Sequence, residues 1–315
     1  MCHPRAIAAG AVRLAALVVA FLALFSANPG SAATLTSVGS DTLGNLMLDW
    51  MRAYRAAHPE LRIQLQTPGS AGAPLALASG AADLGPMSRA MSDVEETVYR
   101  ERRGQAPGRV RIALDAIAVF VHPDNPLVAI DRQHLDAIWS QDLRCGATHP
   151  VERWADLDVD DAQLAARPLL RTGRNTASGT FEFFRDNALC GGTYRRDVVQ
   201  FPGAGAVVAA VAAQPHAIGS AGFGNVNGLV KVLAVAASPD TPAVAPTPQT
   251  VASGRYPLAR PLYLYFNRGA NGKAQGATAD FLRFVLSDEA QALVARQGFV
   301  TLPAAELAAQ RDLIE

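Results

Sequence analysis

The chain has 315 residues, half of them apolar and 18% charged, with 28 basic and 28 acidic side chains. A formal charge of zero excludes the basic excess of a nucleic-acid binder, and the apolar content excludes an intrinsically disordered chain. At this length a single core stops growing, so two domains are expected. Lys231 and Lys273 are the only lysines, so an anion site here must rest on arginine, hydroxyls and backbone N–H groups.

In chain order, Met1–Ala32 reads as a secretory signal peptide. Arg5 and Arg13 precede an unbroken apolar run, Leu14–Phe25, which is too short to span a bilayer comfortably. Asn28-Pro29-Gly30-Ser31-Ala32 supplies a helix break and small residues, with cleavage expected after Ala32 or Ala33. An uncleaved anchor helix is the alternative. Export leaves Cys145 and Cys190, and in an oxidising compartment such a pair is most simply a disulfide.

Thr34–Val38 predicts a strand, and Leu43, Leu46, Met47, Trp50 and Tyr54 recur at helical spacing up to His58-Pro59. Ile63–Gln66 is a strand, Ala73–Ser79 a helix stopped by Gly80, and Ala82–Gly85 a strand stub. Arg111–Val121 is a long apolar β run. Gln133–Ser140 predicts a helix, Pro168–Thr172 a strand, and a further helix carries Phe181, Phe184 and Ala188 on one face. Gly203–Ala213 predicts a helix, Ala217–Phe223 and Val232–Ala236 strands, and Ser238–Pro248 an extended proline-rich segment. Leu262–Phe266 is a second apolar β run, followed by one amphipathic helix over Ala277–Arg296.

Strand, small-residue loop and helix alternate, the rhythm of an α/β fold with a mostly parallel sheet. The expected architecture is two αβα domains joined by two β crossover strands, with both apolar runs crossing. Domain I takes residues 33–115 and 259–315, and domain II takes 116–258. A cleft between hinged domains suits a small ligand.

Three loops place small and hydroxyl residues at a predicted helix start: Gly39-Ser40-Asp41-Thr42, Gly69-Ser70-Ala71-Gly72 and Ser178-Gly179-Thr180. Free N–H groups and the helix dipole make each start able to hold an anion. Ordinary N-capping is the plainer reading of any one of them. Arg174, read as lying in the loop after a strand, could donate two hydrogen bonds to one oxyanion. Arg89, after the third strand, has the same reading, and both could equally be surface arginines.

These residues resemble those of the periplasmic phosphate-binding proteins of phosphate ABC transporters, within the type II periplasmic binding proteins. Arg174-Asn175-Thr176-Ala177-Ser178-Gly179-Thr180 is similar to that family's Arg-x-x-x-Ser-Gly-Thr motif. Gln66–Gly72, Thr36–Thr42 with Trp50, and Ala82–Gly85 resemble its second loop, its first strand and loop, and its third strand, in order. The resemblance implies a binding protein, not an enzyme, that captures inorganic phosphate without a cofactor or metal. It also implies a periplasmic monomer that delivers its ligand to an inner-membrane permease. With the residue reading above, the expected ligand set is Ser40, Asp41, Thr42, Ser70, Ser88, Arg89, Arg174, Ser178, Gly179 and Thr180. One feature departs from the family. Its aspartate after the third strand, which accepts the proton of monohydrogen phosphate, is replaced here at about Ser88. Asp41 is the expected substitute, because an ionised carboxylate only accepts hydrogen bonds and favours a protonated oxyanion over sulfate; it could instead be a plain N-cap. Other readings are another oxyanion or small organic phosphate, a sensor or scaffold on the same fold, and a Ser-dependent phosphatase. The last lacks a base in a recognisable nucleophile motif.

Overall fold

The computed structural model describes residues 34–314, so the expected signal peptide lies outside the described residues. β1 (Thr34–Val38), β2 (Arg62–Gln66) and β3 (Leu84–Met87) are separated by helices Gly44–Ala57 and Gly72–Ser79. β1 pairs in parallel with both of the others. Helix Asp93–Arg103 leads to β4 (Gly108–Val121), followed by β5 (Ala129–Asp131) and helix Arg132–Trp139. β6 (Leu170–Arg174), helix Gly179–Ala188, β7 (Val199–Phe201), helix Ala204–Ala212 and β8 (Ala217–Gly222) build the next αβ unit. β9 (Lys231–Val232), β10 (Ala234–Ala236) and β11 (Ala259–Phe266) precede helices Gly276–Val285, Asp288–Arg296 and Ala304–Asp312. The strand order is β2-β1-β3-β11-β4-β8-β6-β7, with β9 also on β4 and β10 paired with β5. Among the described residues no helix is long and apolar enough to cross a membrane.

β4 joins the two halves. Its residues Gly108–Ala116 pair with β11, and Ile117–Val121 pair with β8. Burial alternates at its start and is complete at its end, as expected where a strand passes from a half-covered to a fully covered position. On one side Leu46, Met47 and Trp50 pack with Leu264 and Phe281. The Trp50 indole donates to the Ala290 carbonyl at 2.9 Å, so the C-terminal helices return to the first lobe. On the other side Ile117, Val119, Trp139, Trp154 and Phe184 share a second core.

The second crossing falls just before the run expected to make it. Tyr256 and Leu258 belong to the second core, whereas Leu262 and Leu264 belong to the first. The chain therefore passes between lobes over Leu258–Pro261, held by Ile117 N–H to the Leu258 carbonyl at 2.9 Å.

Other elements also differ from expectation. β3 runs two residues later than the stub over Ala82–Gly85. Pro86 does not end it, because only its carbonyl is needed, and that carbonyl accepts from the Ser40 N–H at 2.7 Å. β6 is likewise shifted to Leu170–Arg174, so Arg174 ends a strand instead of lying in the loop. The helix expected over Ala277–Arg296 breaks at Leu286-Ser287, where the Ser287 hydroxyl caps a new helix by accepting from Ala290 N–H at 3.2 Å. Val232–Ala236 divides between two sheets. Helix Asp93–Arg103 is additional to the expected elements, and Ser92 and Glu95 form a reciprocal capping box at its start.

Cys145 and Cys190 form a disulfide with Cα atoms 5.6 Å apart. The bridge ties the chain after helix Arg132–Trp139 to the end of helix Gly179–Ala188, whose other end enters the site described next.

Candidate anion-binding site

The carboxyl ends of the parallel strands carry the three loops singled out in the sequence, where open α/β sheets place ligands. Gly39–Thr42 follows β1, Gly69–Gly72 follows β2, and Ser88 follows β3, all in the first lobe. Arg174 ends β6, and Ser178 begins helix Gly179–Ala188, both in the second lobe.

The two lobes meet at these loops. Ala71 N–H donates to the Ala177 carbonyl across the gap at 3.2 Å. Thr42 Oγ1 and Thr180 Oγ1 stand 3.4 Å apart. Gly69 has φ of 118°, and a Cβ there would lie 2.2 Å from the Ala177 carbonyl oxygen. A Cβ on Gly179 would lie 2.5 Å from Ser70 Oγ and 2.7 Å from Ser88 Oγ. Only glycine allows this approach, which brings the first residue of helix Gly179–Ala188 directly against the two serine hydroxyls.

Ordinary capping accounts for one loop of the three. Ser178 Oγ accepts from Thr180 N–H at 3.1 Å and is an N-cap. The helix after Thr42 has Leu43 at its N-cap and no side-chain cap, so Asp41 is not a plain N-cap. The helix after Ser70 likewise has no side-chain cap. Ser70 Oγ instead accepts from Ser88 N–H at 3.1 Å and contacts Ser88 Oγ at 3.2 Å.

Arg174 is buried, and its Nη2 donates to Asp41 Oδ1 at 2.7 Å and to the Pro202 carbonyl at 2.6 Å. Its Nη1 is buried without a partner among the described residues, as is Ser40 Oγ. Unpaired buried donors of this kind cost about 1–3 kcal/mol each unless something accepts from them. The cluster thus offers a cation, several hydroxyls and a helix N-terminus to one small acceptor-rich species.

Arg89 stands at the edge of this group. Its Nη1 and Nη2 donate to the Glu95 carboxylate at 2.6 and 2.7 Å, and its Nε pairs with Glu182 of the second lobe. Those two carboxylates were not anticipated. Glu95 was visible as the acidic member of a capping sequence, whereas nothing local marks Glu182. Beneath the site, Asp115 of β4 and Arg260 of β11 are register partners and form a fully buried pair, Arg260 Nη2 donating to Asp115 Oδ2 at 2.7 Å. Burial pushes the Asp115 carboxyl up, against the pull of the Arg260 guanidinium. Among the described residues no group of three or more His, Cys, Asp or Glu side chains is placed to hold a metal.

The chain thus forms two packed cores, and the hydroxyl loops and Arg174 meet where they face each other. Residues 26–289 match the profile of the PBP superfamily domain. The chain is 39% identical over 295 residues to the phosphate-binding protein PstS of Pseudomonas aeruginosa, covering 94% of this chain and 91% of that protein. The chain belongs to the PBP superfamily and, within it, to the family of that phosphate-binding protein. Among solved structures, an ABC-type phosphate transport receptor from Vibrio cholerae superposes with a TM-score of 0.66 at 20% identity, covering 85% of this chain and all of that one. The high-affinity periplasmic phosphate-binding protein PfluDING, solved with bound phosphate, gives 0.67 at 16% identity, with 89% and 93% covered. Both share the type II periplasmic binding protein fold.

Proposed function

We propose that this protein captures inorganic phosphate between its lobes and delivers it, as a monomer, to an ABC permease in the inner membrane. It works outside the cytoplasm, reached by cleavage of the segment Met1–Ala32. Binding, not catalysis, is its task. The observation that carries this reading is a pair of unpartnered buried donors, Arg174 Nη1 and Ser40 Oγ, at the strand ends and loops that also carry the buried hydroxyls of Thr42, Ser70, Ser88 and Thr180. The phosphate-binding proteins named above as its relatives agree with it.

Phosphate has little apolar surface to bury, so affinity must come from many short charge-assisted hydrogen bonds in a site free of bulk water. A micromolar dissociation constant corresponds to about −8 kcal/mol. Some ten donors contributing under ~1 kcal/mol net each reach that figure. On this reading the domains part at residues 115–116 and 258–259, and β4 and the chain entering β11 would absorb closure.

Asp41 supplies the acceptor that Ser88 cannot. It holds Arg174 with one oxygen, while its second oxygen accepts no hydrogen bond from the described residues. Against a protonated phosphate oxygen it makes a hydrogen bond; against sulfate it meets only lone pairs. Calorimetric titration of the mature protein, stripped of ligand by unfolding and refolding, tests the whole reading. Micromolar or tighter binding of phosphate with no response to sulfate is expected. Equal binding of both removes the role of Asp41, and binding of neither removes the function.

A further inference from the structure

We propose that Arg89 and Glu182 form a latch between the lobes, so that Arg89 governs release of the ligand without touching it. This rests on the reading that phosphate binds between the lobes. Arg89 lies in the loop that follows β3 in the first lobe, and its side chain is 9% exposed. Glu95, at the start of the next helix of the same lobe, takes both terminal nitrogens of the guanidinium in a fork. That fork fixes the plane of the group before any contact with the second lobe. The Nε edge is left buried without a hydrogen-bond partner, and the Glu182 carboxylate of the second lobe lies against it as an ion pair. The pair lines a notch of about 350 Å³ at the seam, together with Phe183, Arg185, Pro261 and Tyr263.

Two features make a merely local role for Glu182 a poor account. Its carboxylate sits in the first turn of the same helix whose N-terminus enters the anion site. There it competes with the ligand for the positive end of the dipole, and its charge repels an anion. A second carboxylate on one guanidinium also leaves the Glu95–Arg89–Glu182 group with a net negative charge. Both effects oppose anion binding in the absence of a compensating gain on closure. The interlobe contact supplies that gain, because Glu182 and Arg89 separate when the lobes part, whereas Glu95 and Arg89 do not. The latch therefore acts on the rate of opening more than on encounter, since close charge pairs across an interface act mainly on dissociation.

The test uses the full mature protein with a donor and an acceptor dye on Leu75→Cys and Leu229→Cys, which are exposed on the first and second lobes. Energy transfer is read first without phosphate, at low salt and at about 1 M KCl, where screening shortens to roughly 3 Å. The closed fraction is expected to fall in Glu182→Gln at low salt and to fall in the unsubstituted protein only at high salt. With phosphate, stopped-flow release is expected to be about tenfold faster in Glu182→Gln and partly restored in Glu182→Asp, with association within twofold. A helix-end role alone lowers the melting temperature and leaves closure and release unchanged, which overturns the latch. If Glu182→Gln does not fold, Arg89→Lys keeps the charge, loses the fork and is expected to release faster as well. If the unsubstituted protein fails to bind phosphate, the site reading fails, while the ligand-free closed fraction still decides the latch.

Discussion

The two lobes are joined by aspartate–arginine pairs of opposite character. Asp115 and Arg260 face each other from neighbouring strands of one sheet, at the point where the chain passes between lobes, and both side chains are 1% exposed or less. Asp41 and Arg174 come from different lobes, 133 residues apart, and meet only because the cleft is closed. Each arginine keeps one buried nitrogen without a partner among the described residues. The Arg260 guanidinium lies 5.9 Å from the centre of the Phe183 ring. In the cleft the Arg174 nitrogen belongs to a group of hydroxyls and a helix N-terminus. The same chemical pair therefore joins neighbouring strands of one sheet in one case and, on the proposed reading, helps build a site that assembles on closure in the other.

Breaking each pair should separate those roles. Arg260→Leu leaves a buried carboxylate uncompensated, so a loss of about 3–5 kcal/mol in unfolding free energy is expected by denaturant titration. A loss under ~1 kcal/mol would show that the hinge pair is dispensable. Arg174→Met should weaken phosphate binding roughly a hundredfold, about 2.7 kcal/mol, while the unfolding midpoint moves little. Unaltered affinity in calorimetry would remove Arg174 from the site. For Asp41→Asn, a fall of about tenfold in the preference for phosphate over sulfate is expected, from competition titration. A preference that survives the change would leave selectivity to another group. Finally, replacing both hinge partners together, Asp115→Leu with Arg260→Met, should restore stability to within ~1 kcal/mol of the starting protein, because no charge is then left alone. If the double variant is as unstable as Arg260→Leu, the pair itself, and not merely its balance, holds the hinge.

How much of this was legible depends on the range of the interactions concerned. β1, the helix to Ala57, and the helix Ala204–Ala212 were readable to within a residue or two, because apolar periodicity and local breakers set them. The placement of β3 and β6 was not, since each is fixed by pairing with strands remote in sequence. The hydroxyl loops and Arg174 stood out by residue type, and the cysteine pair by its compartment. The orientation of Arg89 did not, because a guanidinium after a strand looks the same whether it faces an anion or two carboxylates. Glu182 carries no signal at all in one dimension.

Composition, periodicity and the three small-residue loops were enough to point to an α/β chain and to raise an anion site on arginine and hydroxyls as an expectation, because those features act over a few residues. Which hydroxyls cap helices and which are left free, which arginine keeps an open nitrogen, and where the chain turns between lobes were settled by contacts between segments far apart in sequence. Such contacts depend on how two lobes close against each other, and no local pattern encodes that distance.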